Sequence, residues 1–189
     1  MTDFEPQFHP RLIPGLAARY EYEDDEEVIT IGAAASQRGY YTLEEFRTVC
    51  RWKTKRSQRH VLNNSRETVE EQTRIALSEE STERERMRAL RSLNGVGLRT
   101  ASALLHLADA ERWPILDVRA LHALGVKGIT SYSFKLWSEY VPVWLDLKEQ
   151  AAVGGRILDR SLWQWSRDNR HHECCASDGH SAADERDRH

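Results

Sequence analysis

Leu93-Asn-Gly-Val-Gly97-Leu-Arg-Thr-Ala-Ser102 joins two stretches of helical period, and its reading decides the fold. Upstream, Met87, Leu90 and Leu93 recur on one helical face behind Ser81 or Thr82 as N-cap. Downstream, Leu98, Ala101, Leu104, Leu105 and Ala108 recur on one face of a second helix. Between them, Gly95 and Gly97 permit a tight reversal with positive φ. They also leave no side chain between the backbone N–H groups and an approaching phosphate. The second helix points its N-terminus, with free N–H groups and partial positive charge, at the same place. Arg99 and Thr100 add donors in its first turn. Gly95, Val96, Gly97, Arg99 and Thr100 are thus equipped to grip a nucleic-acid backbone without reading bases. A glycine-rich packing turn would need the same two glycines.

Working outward, the pattern is helical on both sides. Thr42-Leu-Glu-Glu45 is a capping box opening a helix that runs to about Lys53. Gln58 to Asn64 is a polar connector, and Ser65 caps a helix to about Leu77. After the hairpin, Pro114 restarts the chain and Asp117 heads a short helix that ends near Leu124, with Gly125 beyond it. A longer pattern runs from Tyr132 to Glu149, which Pro142 should kink or split. A last helix covers about Arg156 to Arg167. Nothing strand-like is long enough to build a sheet, so the expected class is all-α. Residues 1–41 carry three prolines and little helical period; they are expected to form an irregular acidic arm with an extended piece at Val28–Ile31. Residues 42–168 form the helical domain, and 169–189 a disordered polar tail.

The chain has 189 residues, 27 Lys+Arg against 30 Asp+Glu, and a net charge of -3. No run of 18 apolar residues is present, and the N-terminus has no apolar signal, so neither membrane insertion nor secretion is expected. Three cysteines, Cys50, Cys174 and Cys175, exclude a disulfide framework and a four-cysteine zinc or iron–sulfur site. A reducing compartment, cytoplasmic or nuclear, follows. The charge is uneven: residues 1–30 sum to -6 and residues 31–60 to +5. Between Arg47 and Arg59 there are six basic groups and no acidic one, with Trp52 inside the run. Lys53, Lys55 and Arg56 are candidate phosphate contacts, and Trp52, Tyr40 and Tyr41 candidate stacking or wedge residues. A solvated helix end has the same composition. Trp137, Trp144, Trp163 and Trp165 fall at helical spacing and are assigned to the core. His106 and His122 are assigned structural roles. His171-His172-Glu-Cys174-Cys175 holds metal-ligating types, but adjacent ligands point apart on a helix.

Pro114-Ile-Leu-Asp117 places a carboxylate at a helix N-terminus. Aspartate is common there as a cap. The same position keeps it ionised, able to activate water or stabilise a sugar cation.

The hairpin, its second helix and Pro-x-x-Asp twenty residues past Gly97 together resemble the helix-hairpin-helix DNA glycosylase superfamily, typified by endonuclease III and the adenine-mismatch and 8-oxoguanine glycosylases. Leu93-Asn-Gly-Val-Gly97 is similar to its Leu-Pro-Gly-Val-Gly hairpin, with Asn94 in place of proline. Pro114-Ile-Leu-Asp117 resembles the adenine-mismatch branch. The resemblance covers about residues 85–125. It implies a helical fold with DNA and a base pocket between two parts, a flipped nucleotide, and Asp117 as the catalytic carboxylate in hydrolysis of the N-glycosidic bond. It also implies a structural monovalent cation on the main-chain carbonyls of Arg91, Leu93 and Val96, and no other cofactor. Bifunctional relatives carry a Schiff-base lysine where Arg99 stands, and a guanidinium does not deprotonate to attack C1′. The version implied is therefore a monofunctional glycosylase acting on double-stranded DNA. A non-catalytic hairpin DNA-binding module and a helical protein-interaction domain are the alternatives.

Overall fold

The computed structural model describes residues 2–21, 25–129 and 131–177, with side chains to Asn169. A 3-10 turn at Pro10–Leu12 leads into α1 (Ile13–Ala18), α2 (Glu26–Arg38), α3 (Leu43–Lys53), α4 (Gln58–Val61) and α5 (Arg66–Leu77). Then come α6 (Glu83–Ser92), α7 (Leu98–Ala108), α8 (Val118–Ala123), α9 (Phe134–Ala151) and α10 (Gly155–Ser177). No strand occurs among the described residues, so the protein is all-α there.

Local chemistry starts most of these helices. The capping box of α3 forms, with Thr42 and Glu45 satisfying each other's backbone N–H groups. A second box, Thr82 with Glu85, opens α6. Ser65 and Ser133 cap α5 and α9 through their hydroxyls. Pro142 lies inside α9, which continues through it to Ala151 rather than splitting. Gly125, at φ 70°, closes α8 as expected.

The N-terminal stretch corrects the expectation of an irregular arm. Val28–Ile31, expected to be extended, lies within α2. Val28, Gly32 and Ala35 form its buried face, at the i, i+4, i+7 spacing of a helix. Two of the three are small, so hydrophobic period is faint, but their size is what the packing needs. A Cβ on Gly32 would lie 2.1 Å from the Leu107 carbonyl oxygen, so α2 crosses α7 with backbones in contact. The N-terminal helices are thus part of the fold: α2 packs on α7 and α3, and α1 packs along α10. At the other end α10 runs to Ser177, past the boundary expected near 168. Residues 178–189, the remainder of the expected tail, lie outside the described residues, as do the side chains of His171, His172, Cys174 and Cys175 and part of the acidic patch Glu21–Glu27.

The core gathers around α7. Positions 100 to 107 are all buried, not only the face set by the apolar residues, because α2, α3, α5 and α6 all pack on this helix. Trp137, Trp144, Tyr41, Tyr140 and Phe46 are the largest fully buried side chains. The Tyr41 hydroxyl donates to the Leu104 carbonyl at 2.7 Å, which corrects its assignment as a stacking or wedge residue. Cys50 is a buried free thiol, pushed up to about 12 by burial and so inert.

Candidate nucleic-acid interface and active site

The hairpin is held by backbone geometry and one side chain. Gly95 adopts φ 81° and Val96 N–H donates to the Leu93 carbonyl at 3.2 Å. Gly97, in extended conformation at φ -90° and ψ 176°, is the N-cap of α7. The Asn64 amide grips Asn94 on both sides: its Oδ1 accepts the Asn94 N–H at 2.8 Å and its Nδ2 donates to the Asn94 carbonyl at 2.9 Å. The same Nδ2 donates to the Val61 carbonyl at 2.8 Å. A proline at position 94 would have no N–H to give; Asn94 has one, and Asn64 takes it. No local signal marks Asn64 as a hairpin residue, because its partner is 30 positions away. Asn64→Ala removes three hydrogen bonds made by a buried side chain, with the exposed Asn94 backbone left to water, and should cost about 1–2 kcal/mol. Urea unfolding checks this, and a loss below about 0.5 kcal/mol would mean that the turn holds itself.

Two hydrogen bonds from α7 place the carboxylate. His106 Nδ1–H donates to the Trp113 carbonyl at 2.7 Å, and Ser102 Oγ accepts the Leu116 N–H at 2.9 Å. They pin the connection of 109–117 against α7. His106 is fully buried, and burial holds its pKa below the usual histidine value, so the neutral ring makes this bond. Its hydrogen bond is structural, in line with the role expected for it.

Asp117 caps α8 with one oxygen and holds an ion pair with the other. Oδ1 accepts the N–H groups of Arg119 and Ala120, each at 2.9 Å, and so caps α8. Oδ2 receives Lys53 Nζ at 3.2 Å, with the two side chains only 10% and 13% exposed. Burial alone would raise the Asp117 pKa; the Lys53 charge, the Ala120 N–H and the more distant Arg99 outweigh it and hold the carboxyl below the ordinary aspartate value. Lys53 is therefore not part of an outward basic run. It sits at the end of α3 facing Asp117, whereas Lys55 and Arg56 are exposed.

Asp117 and Lys53 line a cavity of about 190 Å³. Tyr20, Trp52 and Trp163 supply its aromatic surface, and Arg156 and Asp159 of α10 enter from the other side. Trp52 thus lies where a stacking residue would be useful, with Lys53 Nζ and the Arg156 guanidinium 5.9 and 5.8 Å from its ring. Trp163, assigned to the core by its spacing, lines this cavity instead, with Tyr20 edge-on at 5.3 Å. Nothing in the sequence marks Tyr20 for this place; burial pushes its phenol up to about 12. Arg156 is fixed by Asp25 and Asp159, and Asp25, 4% exposed, also receives Arg160 at 2.5 Å. Burial opposes ionisation of Asp25, but hydrogen bonds from Arg160 and Arg156 hold its pKa down.

A second pocket, of about 240 Å³, lies against the hairpin, with Gly95, Gly97, Thr100 and Ser57 on its wall. Lys53 and Arg99 line both spaces. Arg99 is exposed, 5.5 Å from the Tyr132 ring, while Thr100 and Val96 are buried. Tyr40 stands apart, half-buried between the guanidinium groups of Arg38 and Arg74 at 4.9 and 4.5 Å. The carbonyls of Arg91, Leu93 and Val96 flank the turn, and that of Leu93 already accepts one N–H. Among the described residues no group of three or more His, Cys, Asp or Glu side chains is placed to hold a metal ion, and no helix is long and apolar enough to cross a membrane. No protein-family model, curated protein or solved structure matches the chain.

Proposed function

We propose that this protein binds the backbone of double-stranded DNA at the Gly95–Thr100 hairpin and hydrolyses the N-glycosidic bond of a nucleotide flipped into the aromatic cavity. The observation that carries the reading is the position of Asp117: a nearly buried, ionised carboxylate on the wall of a small aromatic cavity, next to a pocket lined by the hairpin glycines. The cavity is smaller than the ~300–1,000 Å³ of sites for drug-sized ligands, which suits one base rather than a dinucleotide. Trp52, Trp163 and Tyr20 supply stacking surface for that base. Asp117 Oδ1 stays engaged as the cap, and Oδ2 faces the sugar, stabilising the oxocarbenium-like state and orienting water. The Lys53 ammonium opposes that charge where it now lies. In the complex a DNA phosphate competes for it and frees Oδ2. The carbonyls of Arg91, Leu93 and Val96 are hard oxygen donors of the kind a monovalent cation takes, and such a cation would add positive charge beside the phosphate.

Base excision on labelled duplexes tests this. The panel holds uracil, 8-oxoguanine, adenine opposite 8-oxoguanine, alkylated purines and modified cytosines, each with and without alkali. Strand breaks that need alkali are the expected result. A second reading is favoured by one observation: Lys53, not position 99, puts a primary amine beside the carboxylate. Breaks without alkali that vanish in Lys53→Met would establish a lyase using that amine. Release of no base, with DNA affinity intact, would leave a hairpin DNA-binding module.

A further inference from the structure

Arg84, Arg88 and Arg91 lie on one face of α6 at i, i+4 and i+7, and all three are exposed. They border a groove of about 560 Å³ floored by the buried Met87 and the half-buried Phe134. The Arg84 guanidinium lies 4.5 Å from the Phe134 ring, which fixes it at the groove edge. Among the described residues, none of the three guanidinium groups has a carboxylate partner. Glu85, next to Arg84 and three residues before Arg88, is committed to the Thr82 cap. The helix dipole favours only Arg91, in the last turn. Like charges at i, i+3 and i, i+4 repel, and Arg84 stands in the first turn, where the helix dipole disfavours a cation. Seven residues at 1.5 Å each spread the row over about 10 Å, and Arg91 is four residues before Gly95, so the row leads into the hairpin.

We propose that Arg84, Arg88 and Arg91 form a second phosphate track that seats the backbone of the same duplex beyond the hairpin. This rests on the DNA-binding reading above, and extends it to a surface that neither the hairpin motif nor the basic run at 47–59 includes. A nucleic-acid backbone offers a regular row of phosphates to such cations, and each one neutralised releases condensed counterions. The apolar floor adds a dry base under the phosphates and sugars.

The test compares wild type, Arg84→Gln/Arg88→Gln/Arg91→Gln and Gly97→Ala by fluorescence anisotropy on one duplex over a range of KCl concentrations. Each arginine–phosphate pair removed should lower the slope of log affinity against log salt by about 0.9, so the triple variant should fall by up to about 2.7. Its melting temperature should stay at the wild-type value, because all three groups are exposed. Gly97→Ala should keep a salt-dependent residual affinity. A triple variant with wild-type slope overturns the track while leaving the hairpin reading intact. A wild-type chain without DNA affinity even at low salt overturns both. Binding of a polyglutamate peptide that the triple variant loses, with its DNA slope unchanged, would make the partner an acidic protein and end the proposal.

Discussion

Asp117→Asn is expected to lower base release by about 10²–10⁴-fold while duplex affinity is kept. Asparagine caps a helix as well as aspartate does, so α8 keeps its N-terminus and the cavity its wall. What disappears is the charge on Oδ2, which the proposed mechanism sets against a developing sugar cation. The variant also leaves the Lys53 ammonium, 10% exposed, without its counter-charge. Truncating one partner of a buried pair costs up to about 3–5 kcal/mol, so stability must be followed separately. Asp117→Asn/Lys53→Met removes both charges together and should recover most of that stability without recovering activity. Full base release from Asp117→Asn would move the chemistry to another group.

The pH dependence of that reaction follows from the same pair. The folded-state pKa of Asp117 is depressed in the free protein, so its carboxylate persists below the ordinary aspartate range, and the acid limb of the kcat/KM profile, which reports the free protein, should fall below about pH 4. The pair contributes stability above the unfolded pKa of about 3.9, lost as pH falls through the folded value. Lys53→Met removes the largest influence that depresses it and leaves burial to act against the remaining hydrogen bonds. The limb should then shift to higher pH. A limb that stays in place in Lys53→Met would mean that the rate does not report on Asp117.

The two hairpin glycines should give opposite results. Gly95→Ala places a Cβ 2.8 Å from Val61 Cγ2, 2.9 Å from Val61 N and 3.0 Å from the Ser57 carbonyl oxygen, at φ 81°. Two of those atoms are backbone and give way only if α4 shifts. Left-handed strain and overpacking together should cost about 2–5 kcal/mol, or roughly 5–15 °C in melting temperature for a chain of this size. Gly97 has no such need: its φ is negative, and an added Cβ would meet nothing within 4 Å. Gly97→Ala should leave stability near the wild-type value, because the gain of about 0.4–1 kcal/mol through the unfolded chain is offset by replacing a favoured N-cap residue with alanine. Its cost should appear only against DNA, where the methyl occupies the space a phosphate needs; a drop of about tenfold or more is expected, equivalent to about 1.4 kcal/mol. Thermal melting and anisotropy separate the two effects. Wild-type DNA affinity in Gly97→Ala would reduce the hairpin to a turn between helices.

The helices that the residues announce most clearly are those whose signals are local. Thr42 with Glu45, Ser65 with Thr68 and Asp117 with Ala120 act across three residues, and each cap forms. α2 carries no such announcement, because Gly32 and Ala35 bury little apolar area; their value lies in letting α7 approach, which only the partner helix reveals. The place of Tyr41 beside the basic run suggests a surface role, and says nothing of the Leu104 carbonyl 63 positions away that takes its hydrogen bond.

By itself, then, the order of residues determined the all-α class, the glycine reversal before α7 and the aspartate at the start of α8. These depend on backbone freedom and on hydrogen bonds spanning one helical turn. Only the tertiary structure decided what surrounds that aspartate. Lys53 reaches it across 64 positions, and Arg156 reaches Asp25 across 131. Such pairs are chosen by how α3, α8 and α10 pack, and that packing is set by burial summed over the whole core rather than by any residue's neighbours in the chain.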